Sequence, residues 1–440
     1  MEKKIHKIQI SILNTAKKYL QYCERKGIKT QTSPNCDFVT WANCLGRAKL
    51  LLLFEKKIIS INYLKNLIFE FFGLGFNSNY SLYSNNIKIK NNINIVYSYC
   101  TKKNFKKNGL FYDYYFNSSS KNKKIIWFLI SLDNYLPKKT NNIFILYQKK
   151  KKFNFAYFIK FVFKNMFKKN IIHDLNSTSN TADIFSRIFG ETFKNLRFNL
   201  YLPYESRPHQ NAVINVIKKI STKNRIFGFY HRMPEPIQTE MIYKKSKLDK
   251  LYVSSEIQKK IFCKYYDWPK KKIYTINSLR YKEIPIRKNF IFLPFEFKNK
   301  EFLLRNIKLL ISLKKMKINN FKFSIHPLKK ESKIHIDFIN EIKKIIKSKN
   351  SMFNNNLDAP IVLGEPGGIA AELLQTIGKV YHITDHNFDI FSHKIWQNIK
   401  STKLSPNILD YRKVNKQKFI NLERSKNSFN KLLSKNKILN

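Results

Sequence analysis

The stretch IVLGEPGGIAAELLQTIGKVYHI, residues 361–383, governs how the rest of the chain is read. With the two residues before it, APIVLG has the length and apolar content of a buried strand. GGIAAELLQTIG carries apolar residues at helical spacing and ends on Gly378, where a C-cap glycine belongs. KVYHI returns to a strand. Strand, glycine turn, helix and strand in this order form a βαβ unit of parallel sheet. The chain has 11 glycines in 440 residues, yet Gly364, Gly367 and Gly368 fall within five positions. One glycine would serve a plain strand-to-helix turn. Three beside Pro366 point to a loop where the anionic group of a ligand approaches the backbone at a helix N-terminus.

The same alternation extends upstream. FIFLPFEF (290–297), FKFSIHP (321–327) and APIVLG read as strands, with helical patterns at 300–316 and 334–348 between them. A cluster of Pro and charge at 281–289 reads as a linker. Before it lies an earlier series: strands at 124–132, 141–148, 225–231, 250–255 and 272–281, and helices at 181–196, 211–222 and 256–266. Two such series in tandem predict an α/β protein with two Rossmann-like domains facing a cleft. The expected division is an N-terminal α/β domain over 1–285, with 1–125 poorly defined, and a C-terminal Rossmann-like domain over 286–385. A helix over 387–399 and a basic tail are expected to complete 386–440.

The net charge of +54 suggests a polyanion binder. Lysine outnumbers arginine about six to one, however, and Asn, Ile, Phe and Tyr are inflated with it. Those residues share A/T-rich codons, so genome composition explains much of the charge. Its physical consequence stands: the surface should adhere to anionic headgroups in a salt-dependent way. The 5 cysteines include no CxxC pair, which fits a reducing cytoplasm, and no zinc site is expected. No apolar run reaches the ~20 residues that span a bilayer. The expected location is cytoplasmic, with peripheral attachment to the inner face of the membrane.

Three further places carry candidate chemistry. In FSIHPLKK, His326 ends a strand that Pro327 stops, and a protonated imidazole there can pair with a phosphate. In YLPYESRPHQNAV, Glu205 sits between an apolar run and a helix, with Pro203 and Pro208 stiffening the loop. A rigid, partly desolvated carboxylate suits a general base, although a helix N-terminus also explains an acidic residue there. His231 and Arg232 in GFYHR, and Ser278 and Arg280 in INSLRY, occupy two more strand ends.

Together, the His326–Pro327 dipeptide, the GEPGGIAAELL loop-helix, the PYESRPHQ element, GFYHR and INSLRY resemble bacterial surface-carbohydrate glycosyltransferases of the GT-B fold. The chain looks most like the group that includes capsule polysialyltransferases and Kdo transferases. These elements cover roughly residues 190–385. The resemblance implies inverting, metal-independent transfer of an acidic sugar from a CMP-activated donor, with no cofactor. It implies that His326 contacts the CMP phosphate and that Glu205 is the base. It also places Ser278, Arg280, Pro327, Gly364, Gly367, Gly368 and Glu372 at the donor nucleotide, and His231 and Arg232 near donor or acceptor. Relatives carry small hydroxyl residues in the later loop. Here Gly367 and Gly368 stand in that region, so backbone N–H groups must take over.

The expected partners are a nucleotide-sugar donor, a glycan or glycolipid acceptor and an anionic membrane surface, but not nucleic acid. A UDP- or GDP-sugar donor, a non-catalytic basic protein binding polyanions or membrane, and an inactive relative of the transferases are the competing readings.

Overall fold

The computed structural model describes residues 2–32, 36, 80–149 (except 86, 88, 90 and 139), 153, 155, 156, 159, 163, 177–232, 238–280, 289–314 (except 298), 316, 317, 321–325, 329, 331–349, 355, 356, 358–364, 368–384, 395–415, 418, 420–422 and 428–436. Two compact units emerge. The first comprises Ile10–His231, Ile237–Tyr281 and Leu422–Asn440; the second comprises Met1–Gln9, Arg232–Pro236 and Lys282–Asn421.

In the first unit, helix α1 (Glu2–Arg25, belonging to this unit from Ile10) precedes β1 (Tyr80–Tyr83), β2 (Ile93–Cys100), a small hairpin of β3 (Tyr112–Asp113) and β4 (Ser118–Ser119), β5 (Ile125–Ser131) and β6 (Ile143–Gln148). Next come α2 (Ser177–Thr192), β7 (Phe198–Pro203), α3 (Pro208–Ile220), β8 (Arg225–Phe229), β9 (Lys250–Val253), α4 (Glu256–Tyr265) and β10 (Ile273–Thr275). The sheet order is β1-β6-β5-β2-β7-β8-β9-β10, parallel throughout except for β1. From β2 the chain adds β5 and β6 on one side and then returns to lay β7 on the other. The topological switch point therefore lies between β2 and β7, and open parallel sheets bind ligands beyond the strand ends there.

Strands β5 and β7 are buried at every position, as a parallel sheet covered on both faces requires. Tyr201 stacks on Phe227 at 5.0 Å between ring centroids, and Phe229 stacks on Tyr252 at 5.0 Å, joining β7, β8 and β9.

The second unit starts at β11 (Phe290–Phe292) and continues with α5 (Lys300–Lys314), β12 (Met316–Lys317), β13 (Lys322–Ser324), α6 (Lys333–Lys349), β14 (Asn355–Asn356), β15 (Ile361–Leu363), α7 (Gly368–Thr376), β16 (Lys379–Ile383), β17 (Ile399–Ser405) and β18 (Ile408–Lys413). Its main sheet has the order β13-β11-β15-β16-β18-β17. The first four of these strands are parallel, while β18 and β17 form an antiparallel hairpin. β12 and β14 pair separately. The switch point here lies between β11 and β15.

The carboxy-terminal segment departs from the expected helix and tail. Residues 387–394 lie outside the described residues, and β17 and β18 extend the second sheet instead. Helix α8 (Ser428–Lys435) then belongs to the first unit. It buries Phe429 against Phe116 at 4.7 Å and Tyr201 at 5.7 Å. The carbonyl of Asn436 accepts the side-chain amide of buried Asn199 at 2.7 Å, giving the polar second residue of β7 a partner. Lysine and asparagine make this segment look like a solvated tail, yet two apolar residues and one carbonyl dock it.

Candidate active site

In the first unit the reactive side chains gather at the carboxyl ends of β2, β7, β8, β9 and β10. The loop after β7 turns through Ser206, which is buried and has φ of +57°. A non-glycine residue rarely adopts this left-handed conformation, and such strain is found where surrounding contacts enforce it. Gln210, fully buried on α3, does so here. Its Oε1 accepts the N–H groups of Glu205 at 2.9 Å and Arg207 at 3.3 Å, while its Nε2 donates to the Pro203 carbonyl at 2.6 Å and to the Tyr99 hydroxyl at 3.2 Å. One amide thus holds both ends of the loop and ties it to β2 across the switch point.

The carboxylate that this loop presents is engaged on both oxygens. Oε1 of Glu205 meets His231 Nε2 at 3.0 Å, and Oε2 accepts from Arg207 Nε at 3.2 Å. The sequence suggested a lone poised carboxylate; the structure instead makes Glu205 the centre of a Glu–His pair buttressed by a guanidinium. His231 follows β8 and is buried.

A second wall comes from a segment that sequence patterning left unread. Asp113 is fully buried and accepts the hydroxyl of Ser98 and the N–H groups of Tyr115 at 2.7 Å and Phe116 at 2.8 Å. Burial pushes its carboxyl up to about 6, against those hydrogen bonds and the charge of Arg280, which hold it down. The turn it builds places the Tyr115 ring edge-on to His231, with centroids 4.6 Å apart, and the Arg280 guanidinium lies over the same ring at 5.2 Å. Tyr115, His231, Ser254, Asn277, Ser278 and Arg280 line a small pocket of about 20 Å³, room for a water-sized group such as a substrate hydroxyl. The Ser278 hydroxyl accepts the Arg280 N–H at 3.3 Å, shaping the turn after β10.

His209, the second residue of α3, lies against Tyr97, Tyr99 and Phe185, and its Nε2 is 3.0 Å from the Tyr99 hydroxyl. Burial, with help from Arg207 and against Glu205, lowers its pKa to about 4, so it is neutral at pH 7. Burial raises the Tyr99 phenol, as does the Glu205 carboxylate beside it, and the hydroxyl stays protonated.

In the second unit, Gly364 ends β15 at the switch point. Its φ is +77°, and a Cβ there would lie 2.8 Å from Pro294 Cβ, just past β11. Glycine is therefore required on two counts. His382 Nε2 donates to the Gly364 carbonyl at 2.7 Å, and the Gly364 N–H reaches the Ile383 carbonyl at 2.8 Å. His335 braces the opposite side, meeting the Pro294 carbonyl through Nε2 at 3.0 Å and the Ser332 hydroxyl through Nδ1 at 3.0 Å. Gly368 opens α7, whose first-turn N–H groups have no partner within the helix. Glu372 is buried one turn further on.

Of the residues singled out in the sequence, Glu205, His231, Ser278 and Arg280 come together in the first unit. Gly364, Gly368 and Glu372 share the second. Arg232 is half-buried and begins a short segment counted with the second unit. His326, Pro327 and Gly367 lie outside the described residues. Tyr115 and Asp113 escaped sequence reading because nothing local marks them. Arg207 and His209 stood in the quoted PYESRPHQ stretch, where two charged or titratable side chains beside Glu205 were the available signal. Among the described residues no cluster of three His, Cys, Asp or Glu is placed to hold a metal, and no helix is long and apolar enough to cross a membrane.

No family model matches the chain, and no curated protein matches it. Among solved structures, it is similar to a glycosyltransferase from Rickettsia africae ESF-5 at 11% identity, covering 70% of this chain and 88% of that one, with a TM-score of 0.32. It is also similar to a protein from E. coli described as trehalose-6-phosphate bound with UDP-2-fluoro glucose, at 12% identity over 57% of this chain and 70% of that one, with a TM-score of 0.27. A third similarity is to accessory secretory proteins 1, 2 and 3 of Streptococcus pneumoniae, at 14% identity over 50% of this chain and 47% of that one, with a TM-score of 0.29.

Proposed function

We propose that this chain is a GT-B-like glycosyltransferase that moves a sugar from a nucleotide-sugar donor to a hydroxyl of a glycan or glycolipid. One observation carries the reading: each of the two parallel sheets has its distinctive residues at its own switch point. The first offers an acid–base pair beside a hydroxyl-sized pocket. The second offers a glycine turn leading into a helix N-terminus, which suits the phosphate of a donor.

Within that class we infer inverting transfer from a CMP-activated acidic sugar. The acceptor O–H gives its proton to the Glu205–His231 pair, with Glu205 supporting the imidazolium that forms on His231. The acceptor oxygen bonds to the anomeric carbon as the bond from that carbon to the phosphate oxygen breaks, and CMP leaves as a phosphomonoester. Ser278 and Arg280 are assigned to donor contacts, with His231 and Arg232 at the meeting of donor and acceptor. His326 and the α7 N-terminus would stabilise the charge growing on the leaving phosphate; such preorganised electrostatics is usually the largest catalytic contribution. No residue requires a cofactor for this chemistry. A lipid-anchored acceptor would bring the basic surface to an anionic membrane, consistent with a cytoplasmic, peripheral location.

Calorimetric titration with CMP, UDP and GDP tests the donor. Saturable binding of CMP with His326→Ala abolishing it is the expected result; preference for UDP or GDP would keep the class and change the donor. Binding of none of the three, with salt-steep binding to any polyanion, would instead favour the non-catalytic reading that the charge of +54 suggests.

A further inference from the structure

Away from the strand ends, the first unit carries a groove of about 630 Å³ between the turn after α1, one face of α3 and the loop before β9. Its size falls in the range of about 300–1,000 Å³ typical of small-molecule sites. Five lysines line it (Lys29, Lys219, Lys244, Lys245 and Lys247) against two carboxylates, Glu24 and Asp183. Glu24 is taken up by Lys245 at 3.1 Å. Lys244 is only 4% exposed, and its ammonium donates to the Cys36 carbonyl at 2.7 Å.

Lysine is abundant everywhere in this chain, so number alone decides nothing. Convergence does. The lysines come from three separate elements to line one concavity, where low-dielectric walls concentrate their field. Those elements are fixed to one another by Gln31. Its Nε2 donates to the Lys245 carbonyl at 2.7 Å, its Oε1 accepts Asn215 Nδ2 at 3.0 Å, and its carbonyl accepts Asn211 Nδ2 at 3.0 Å. A single side chain thus joins turn, helix and loop, which reduces the ordering cost of binding. Several ammonium point charges arranged around a cavity suit an anion with several oxygens.

We propose that this groove binds a phosphate-bearing ligand, either a phosphorylated small molecule or the headgroup of an anionic phospholipid. The inference does not depend on the reaction assigned to the strand-end site.

Titration of the full chain with inorganic phosphate, against chloride at matched ionic strength, tests it. Wild type is compared with Lys219→Gln/Lys247→Gln, with Gln31→Leu, and with an exposed control pair outside the groove, Lys121→Gln/Lys123→Gln. Thermal melts establish that each variant is folded. The groove pair is expected to lose about tenfold or more in phosphate affinity. Gln31→Leu, which removes no charge, is expected to lose affinity too, and the control to keep it. Sedimentation with phosphatidylglycerol and phosphatidylcholine vesicles separates the sources. Loss of phosphatidylglycerol binding in the groove pair marks a headgroup site. Unchanged vesicle binding with lost phosphate binding marks a soluble ligand. Equal loss in groove and control variants, wild-type phosphate affinity in the groove pair, or no saturable phosphate binding would overturn the proposal.

Discussion

His231 Nε2 stands 3.0 Å from Glu205 Oε1, while the other oxygen of the same carboxylate accepts from Arg207. The pair couples the ends of two adjacent parallel strands, β7 and β8. Glu205→Gln keeps the size of the side chain but removes the charge that orients and supports an imidazolium. Under the proposed reaction, kcat should fall by about 10²–10⁴-fold with nucleotide binding unchanged. His231→Gln should fall as far, and the double variant little further, because the two act as one unit. Transfer assays with calorimetry on the same variants check this; full activity in either single variant removes that residue from the chemistry.

Gln210 holds that loop in its strained turn. Gln210→Leu leaves the Pro203 carbonyl and the N–H groups of Glu205 and Arg207 without this partner. Leaving buried polar groups unpaired costs about 1–3 kcal/mol each at most, so a drop of several degrees in Tm is expected. Activity should fall with it, through KM and kcat together. Thermal denaturation monitored by circular dichroism reads the first effect.

Glycine substitution separates two otherwise similar turns. Gly364 and Gly378 both have positive φ, of +77° and +85°. Gly378 has open space around its would-be Cβ, so Gly378→Ala should cost only the conformational term, about 1–2 kcal/mol. Gly364→Ala adds a clash with Pro294, so its Tm should drop further. Equal Tm losses in the two variants would show that the Pro294 contact is relieved at no cost.

Two buried groups give stability a pH dependence of opposite sign over nearly the same window. His209 is held at about 4 in the folded chain against an ordinary 6.5, so folding favours its neutral form. Its contribution is complete above pH 6.5 and is lost as pH falls toward 4. Asp113 is raised to about 6 from 3.8, so its burial is least costly when protonated. It adds stability as pH falls from 6 toward 3.8. Asp113→Asn should therefore steepen the loss of stability on acidification, and His209→Phe should flatten or reverse it. Urea denaturation at pH 4.5, 6 and 7.5 measures both; parallel profiles in the two variants would contradict the assignment.

Much of the architecture was legible from pattern alone. The strands at 125–131, 143–148, 225–229 and 361–363 and the crossover helices between them follow from apolar runs alternating with helical spacing. Glu205, His231, Ser278 and Arg280, all named at strand ends, lie in one unit because in a parallel sheet the carboxyl ends emerge on one edge, whereas Arg232 is counted with the other unit. The N-terminal region resisted for a physical reason. β2 is one of the two central strands of the first sheet, yet its segment INIVYSYC sits among Asn- and Lys-rich tracts that obscure its boundaries. The hairpin at 399–413 was missed because IKSTKLS is mostly polar; its outer edge faces solvent and needs no apolar run.

Local periodicity thus determined the α/β class, the two βα series and the glycine turn at a strand end, since each depends only on residues near one another in the chain. Strand order did not follow from it. Only the folded chain set β2 beside β7, joined Asp113 to Ser98, brought Tyr115 to His231, tied Asn199 to Asn436 and pinned the Gly364 carbonyl with His382. The hydrogen-bonded pairs among them are 15 positions apart for Ser98 with Asp113, 18 for Gly364 with His382 and 237 for Asn199 with Asn436. Such pairings come from the closure of distant segments around a shared core, and no local pattern of residues encodes them.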